Sequence, residues 1–376
     1  MNGFTPLVPP SPTPRGASVV LWPLLIALLV LGCDRPGRTV VGYAFPYSAA
    51  AVVHLAREAI AELPGRPDVR IAEDTVPGGD RADLAVARAR RMVRVPGLIG
   101  VVGHPDSRGA LAAAPVYNDA EVVQIAPLAT SRWLDEAGPW TFTLAPDDSV
   151  EGAFIGRFVD ERLRARRVAL LYVGDEYGEG LRDGIARELE GRGIRISREF
   201  LYDAESDLET LVRASLEPRV PDAVIVAGLV GSTAEIARHM MRYAPGIPVV
   251  AGDAALRLPG LAAQAGPATQ HLYLVSLWLP DTADARYREF ESRFRQLTGE
   301  APNPTDVLTY DALMMLVTAA VDGGGDAAAA RRWLVSLGRS RPPYEGVTGP
   351  LTVNGSDRPL TMVRLVDGVP VQVPLP

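Results

Sequence analysis

The chain has 376 residues, with 38 basic against 45 acidic side chains and a formal net charge of −7. Every basic residue is arginine, so there is no Schiff-base lysine, no phosphate-binding Gly-Lys-Ser/Thr loop and no lysine general base. The acidic balance argues against nucleic acid and against a polybasic membrane patch, and a single cysteine excludes internal disulfides and cysteine metal sites.

An apolar run at 19–31 follows Arg15 and ends in Val30-Leu31-Gly32-Cys33, where charge begins at Asp34 and Arg35. A membrane-crossing helix needs ~20 apolar residues, so this shorter run fits the core of an export signal. The junction resembles the lipobox of bacterial lipoproteins. That resemblance implies a signal peptide at 1–32, diacylation of Cys33 and a short lipidated linker at 33–38. Removing the leader takes one arginine and leaves about 340 residues, enough for two ordinary domains.

Short apolar strands then alternate with amphipathic, helix-length segments, the pattern of a parallel sheet flanked by helices. The spacing predicts strands at 39–43, 69–73, 98–103, 122–125 and 140–144, with helices at 49–62, 81–94 and 107–118. Asp148-Ser149-Val150-Glu151 reads as a capping box opening a helix that runs to 163. A second series follows, with strands at 167–172, 194–200, 222–227, 248–251 and 271–277. Its helices lie at 180–190, 208–216 and from a cap at 232–235 to 243. Helical segments at 284–298, 305–321 and 327–337 come next. Segments 349–353 and 361–365 then read as paired strands turning at Asn354-Gly355. Two series followed by a return of helices predict an α/β fold of two Rossmann-like lobes joined by a multi-crossover hinge. No Gly-x-Gly-x-x-Gly follows the first strand, so the dinucleotide-binding feature is missing.

In open parallel sheets, ligands sit beyond the carboxyl ends of the strands. Four loops there carry candidates. Ser107 lies where a helix starts, which offers unpaired N–H groups to an anion; a plain cap at Ser107 or Asp106 accounts for the same residues. Ala129-Thr130-Ser131 presents hydroxyls, Tyr177 sits in a glycine-rich turn at 174–180, and Asp253 ends a short strand. Together they suit a zwitterion clamped by lobe closure. His104, Asp106 and Ser107 lie too close along one junction for a catalytic triad, because their side chains diverge. The other histidines show no metal spacing. The expectation is a binder, not an enzyme, with no metal and no cofactor.

The stretch 100–122, with Val102-Gly103-His104, Ser107 and Pro115-Val116-Tyr117-Asn118-Asp119, is similar to the branched-chain amino-acid-binding proteins, type I periplasmic components of ABC importers. The likeness continues through Ile125–Thr130, Ala145–Ser149, Tyr177-Gly178-Glu179-Gly180, 222–228, Gly252-Asp253, Thr309–Ala312 and Gly349-Pro350-Leu351. It implies an N-terminal lobe of 39–147 with 278–352 and a C-terminal lobe of 148–277 with 353–376. It also implies that Ser107 holds a ligand carboxylate, that Ala129 and Thr130 help hold the ammonium, that Asp253 supplies its counter-charge and that Tyr177 covers the ligand. Arg108 stands where the family has a small residue and either pairs with the carboxylate or blocks the site. The implied partners are a small amino-acid-like solute, ABC permease subunits and, through the lipid, a membrane facing the periplasm or cell exterior. Two alternatives share the fold: a ligand-free lipoprotein that activates penicillin-binding proteins, and a ligand sensor docking on a signalling partner.

Overall fold

The computed structural model describes residues 38–46, 49–76, 81–256, 260–355 and 358–375. The expected signal peptide and the lipidation at Cys33 lie outside them. The first series forms β1 (Thr39–Ala44), α1 (Ala50–Glu62), β2 (Val69–Asp74), α2 (Ala82–Met92), β3 (Leu98–Val102), α3 (Ser107–Asp119), β4 (Val123–Ala126) and β5 (Thr141–Thr143). Its five strands pair in parallel in the order β2-β1-β3-β4-β5. That order carries the chain out in both directions from β1 and β3, so their carboxyl ends face an open edge where loops converge.

The second series runs α4 (Asp148–Glu161), β6 (Arg167–Val173), α5 (Glu176–Gly191), β7 (Arg195–Tyr202), α6 (Leu208–Ser215), β8 (Ala223–Ala227), α7 (Val230–Tyr243), β9 (Val249–Ala251), α8 (Gly260–Ala265) and β10 (Leu272–Ser276). The chain then returns to the first sheet as α9 (Ala285–Thr298), α10 (Pro304–Asp322) and α11 (Ala327–Ser336). It closes with β11 (Tyr344–Gly346), β12 (Gly349–Leu351), β13 (Thr361–Val366) and β14 (Val369–Gln372). The second sheet has the order β14-β13-β10-β9-β8-β6-β7, with only β13 running antiparallel to its neighbours. The result is a two-lobed α/β fold with parallel sheets, as the alternation implies.

One core cluster joins Val41, Val102 and Ile125 of the first sheet to Val307, Leu313, Met315 and Leu316 of α10. Helix α10 is apolar nearly all round, which suits a helix with no solvent face. The second sheet has apolar layers on both sides, one around Leu171, Val226 and Leu274 and another around Ile155, Leu170, Leu181 and Ile225. The segments at 143–148, 276–285 and 351–361 are the connections between the two layered bodies.

Four local expectations change. Asp147, not Asp148, is the N-cap of α4: its carboxylate accepts from Ser149 N at 2.7 Å and Val150 N at 3.0 Å. With two consecutive aspartates, the first takes the cap and the second is released from it. Helix α5 begins at Glu176, four residues before the expected start, because Asp175 caps it by accepting from Gly178 N at 2.8 Å. Helix α7 starts at Val230 without a side-chain cap, and Ser232 instead donates to the Leu229 carbonyl. Strand β12 pairs with β11 rather than with β13, which lies between β10 and β14. The turn at Asn354 serves β5 instead, since its N–H donates to the Thr143 carbonyl and its side chain accepts from Thr143 N.

Candidate functional site

Beyond the carboxyl ends of β3 and β4, the first lobe presents Ser107, Ala129 and Thr130, all buried. Asp106 caps α3 by accepting from Gly109 N at 2.7 Å. The Ser107 hydroxyl accepts from Ser131 N at 3.2 Å, which ties the start of α3 to the loop after β4. The next link crosses to α4: Asp148 N donates to the Thr130 carbonyl at 2.8 Å, and the Thr130 hydroxyl lies against the Asp148 carboxyl.

Because Asp147 takes the cap, Asp148 and Glu151 are free to point inward, and both are wholly buried. Glu151 accepts from Asp253 N at 2.7 Å, and the Tyr177 hydroxyl accepts from Ala254 N at 3.4 Å. Asp253 opens a short 3-10 turn, Asp253–Leu256, directly after β9. Glycine is required at 252, where a Cβ would run into the Tyr177 hydroxyl and the Glu151 carboxyl. Ser107, Thr130, Asp148, Glu151, Tyr177 and Asp253 therefore form one connected group reaching from the first sheet to the second.

The electrostatics are lopsided. Burial holds the Asp148 and Glu151 carboxyls well above the usual carboxylate range, with the charge of Asp253 adding to both. Burial likewise raises the Tyr177 hydroxyl, helped by the Glu151 charge. Neither Asp148 nor Glu151 forms an ion pair among the described residues. Arg108 does not enter the group. Its Nε donates to Glu176 at 2.9 Å and it also donates to the Gly174 carbonyl at 3.3 Å, so it reaches from α3 to the start of α5.

Sequence reasoning placed Ser107, Ala129, Thr130, Tyr177 and Asp253 in one region, and the structure brings them together. It turns Arg108 aside to a partner not foreseen, Glu176. It also adds Asp148 and Glu151, which had been assigned to a cap. The signal that could have found them is the doubled acid: one aspartate suffices to cap, leaving the second and the Glu three residues on. Tyr43 and Phe45 stack on each other, ring centroids 4.5 Å apart, and belong to the first core.

Size alone would point elsewhere. Crevices of about 720 and 610 Å³ flank the connecting segments around Arg358, but none of Ser107, Thr130, Tyr177 or Asp253 lines them. Beside Asp253 there is a cavity of about 20 Å³, with walls that include Leu128, Leu256, Leu277 and Leu308. That is room for about one water. The polar convergence, not the larger volume, is what makes this the candidate site.

The family described as periplasmic binding protein matches residues 44–365. The chain belongs to the periplasmic binding proteins. An amino acid binding protein from Pseudomonas aeruginosa is 27% identical over 260 residues, 67% of this chain and 68% of that one. A Leu/Ile/Val-binding protein homolog from Brucella suis is 25% identical over 265 residues, 69% and 68% of the two chains. Among solved structures, a leucine binding protein from Thermotoga maritima superposes with a TM-score of 0.80 at 19% identity, covering 89% of this chain and 98% of its own. A Rhodopseudomonas palustris solute binding protein in complex with benzoate reaches 0.77 at 17% identity, covering 90% and 96%. These likenesses establish the type I periplasmic binding protein fold. As a periplasmic binding protein, the chain has the fold of a substrate-binding component rather than of an enzyme, and its family places it outside the cytoplasm.

Proposed function

We propose that the protein is the substrate-binding lipoprotein of an ABC importer, holding a small amino-acid-like solute between its lobes. The lobes are taken as 39–147 with 278–352 and 148–277 with 353–376. The observation that carries the reading is the connected group from Ser107 through Thr130 to Glu151, Tyr177 and Asp253, which spans the carboxyl ends of both sheets. In this reading the start of α3 receives a carboxylate, the Ala129 carbonyl and the Thr130 hydroxyl help hold an ammonium, and Asp253 supplies its counter-charge. Tyr177 covers the solute, and Arg108 joins the lobes through Glu176. Charge-assisted hydrogen bonds contribute about 1.5–3 kcal/mol each, whereas micromolar affinity needs about 8 kcal/mol net. Burial of the solute in the closed cleft must therefore supply part of the affinity. The relatives named for amino-acid binding support this class of ligand.

A thermal-shift screen against the proteinogenic amino acids tests the reading, since a ligand that binds only the folded state raises its melting temperature. One or more should do so, and Thr130→Ala and Asp253→Ala should abolish the shift. No shift with any of them would favour the alternative of a ligand-free interaction lipoprotein, which the small closed space beside Asp253 also fits. A sensor would bind in the screen and yet lack a cognate permease. Lipid attachment at Cys33 predicts metabolic labelling with palmitate that Cys33→Ser removes.

A further inference from the structure

We propose a second ligand site, separate from the cleft: a small organic monocarboxylate with an apolar body, bound in the crevice between α4, α5 and the segment 358–360. The crevice has a volume of about 610 Å³, within the roughly 300–1,000 Å³ range of small-molecule sites. Arg358 stands on its wall. A guanidinium carries five N–H donors, yet the Arg358 side chain makes one hydrogen bond among the described residues, from Nε to the Leu277 carbonyl at 2.8 Å. Its Nη1 is shut off from solvent and has no partner. Asp311 lends it charge but no hydrogen bond: the two Asp311 oxygens accept from Val347 N, Thr348 N and the Thr348 hydroxyl at 2.6–2.8 Å. Burial, opposed by the Asp311 charge, lowers the Arg358 pKa to about 10, so the group is still a cation at neutral pH.

The rest of the wall decides the class of ligand. It carries three arginines, Arg157, Arg192 and Arg358, and two acids, Asp147 and Glu188, a surplus of one positive charge. Glu188 is answered by Arg192 at 2.6 Å, and Asp147 is engaged in capping α4. Arg157 makes no ion pair and no side-chain hydrogen bond among the described residues; its guanidinium rests 5.8 Å from the Phe154 ring centroid. One net charge suits a monoanion better than a phosphate, and the planar fork of an arginine matches the two oxygens of a carboxylate. Val150, Ala153, Phe154, Pro359 and Leu360 form the apolar part of the wall, where a ligand's apolar body gains affinity with the area it buries. The crevice of about 720 Å³, which Arg358 also lines, sets Asp281 and Asp284 against Arg286 and Arg358 and has no such surplus.

Phenylacetate against phenylacetamide isolates the charge at nearly constant shape. Titrated calorimetrically at low salt into the full-length protein in detergent, phenylacetate should bind at least about tenfold more tightly than the amide. Arg358→Gln and Arg157→Gln should each weaken phenylacetate severalfold while leaving the amide as it was. Arg157 is exposed on α4, so its variant decides the matter should Arg358→Gln fail to fold. Thr130→Ala and Asp253→Ala, which alter the cleft, should not change the affinity for phenylacetate. Equal affinity for acid and amide would overturn the proposal, as would no binding of phenylacetate at millimolar concentration. So would an affinity untouched by the arginine variants. A loss in the cleft variants alone would place the carboxylate in the cleft and end the second site, while the reading of the cleft itself stands or falls by the amino-acid screen.

Discussion

Two groups of buried ionisable side chains are built on opposite principles. In the first lobe, Asp74 accepts two hydrogen bonds from Arg91, at 2.7 and 3.0 Å, and lies 3.6 Å from Arg88. Arg88, almost fully buried, also donates to the Val76 carbonyl at 2.7 Å. His104 is kept neutral beside them: burial, and then the Arg88 charge, pulls its pKa down to about 3. Every charge there has an answer. On α4, Asp148 and Glu151 have no cationic partner among the described residues. A matched group holds the fold; an unmatched one costs stability and is tolerated where function needs it.

The largest test of that contrast is Asp74→Ala. Breaking a buried pair strands the remaining charge, at a cost of about 3–5 kcal/mol, so urea denaturation should show a loss of that order. A loss below about 1 kcal/mol would place Asp74 among ordinary surface pairs and end the comparison. Glu151→Gln should act in the other direction, stabilising the ligand-free protein by about 1–3 kcal/mol at neutral to alkaline pH, the range for a buried group left unsatisfied.

The sign of its pH dependence follows from linkage. The folded Asp148 and Glu151 carboxyls hold protons that the unfolded chain releases. Their contribution is full below the ordinary carboxylate range and is lost as pH rises. His104 runs the other way. With its pKa lowered from 6.5 to about 3, its contribution is present above 6.5 and lost as pH falls toward 3. Melting curves from pH 3 to 9 should therefore flatten on the alkaline side in Glu151→Gln and on the acid side in His104→Gln. Matching slopes in wild type and both variants would contradict the assignment.

The smallest effect belongs to Arg108→Gln. Its pair with Glu176 is half-exposed, and exposed pairs contribute about 0.2–1 kcal/mol. Fluorescent labels placed one on each lobe should report a modest shift toward the open form. High salt should produce the same shift in the parent protein and little further change in the variant.

How much of this was legible beforehand divides along physical lines. The strand–helix alternation gave both lobes, because burial on two faces of a parallel sheet leaves long apolar runs such as Val168 to Leu171 and Ala223 to Ala227. Ser107, Thr130, Tyr177 and Asp253 were visible because all lie at strand ends, where the topology gathers loops. Asp148 and Glu151 were not, since a capping box and an inward-facing acid pair share the same letters, and only the choice of Asp147 as the cap separates them. Helix α5 was started late because Gly178 and Gly180 resemble a turn. In the fold Gly180 lies where a Cβ would strike the Asp148 carboxyl, so the glycine is there for close approach of α4 and α5. Strand β14 was missed because it is an outermost strand with exposed Val369 and Val371 and a proline between them, a pattern with little apolar periodicity.

The return of α10 to the first sheet sets an order for biogenesis. Until residues 304–322 have emerged, the apolar side of β1, β3 and β4 has no lid, while the elements from α4 to β10 are all already available. During synthesis the body built from α4 to β10 can thus assemble all but its β13 and β14 strands before the first sheet gains its lid. A nascent chain stalled near residue 280 should leave the first sheet more exposed to chaperones and proteases than strands β6 to β9 of its neighbour.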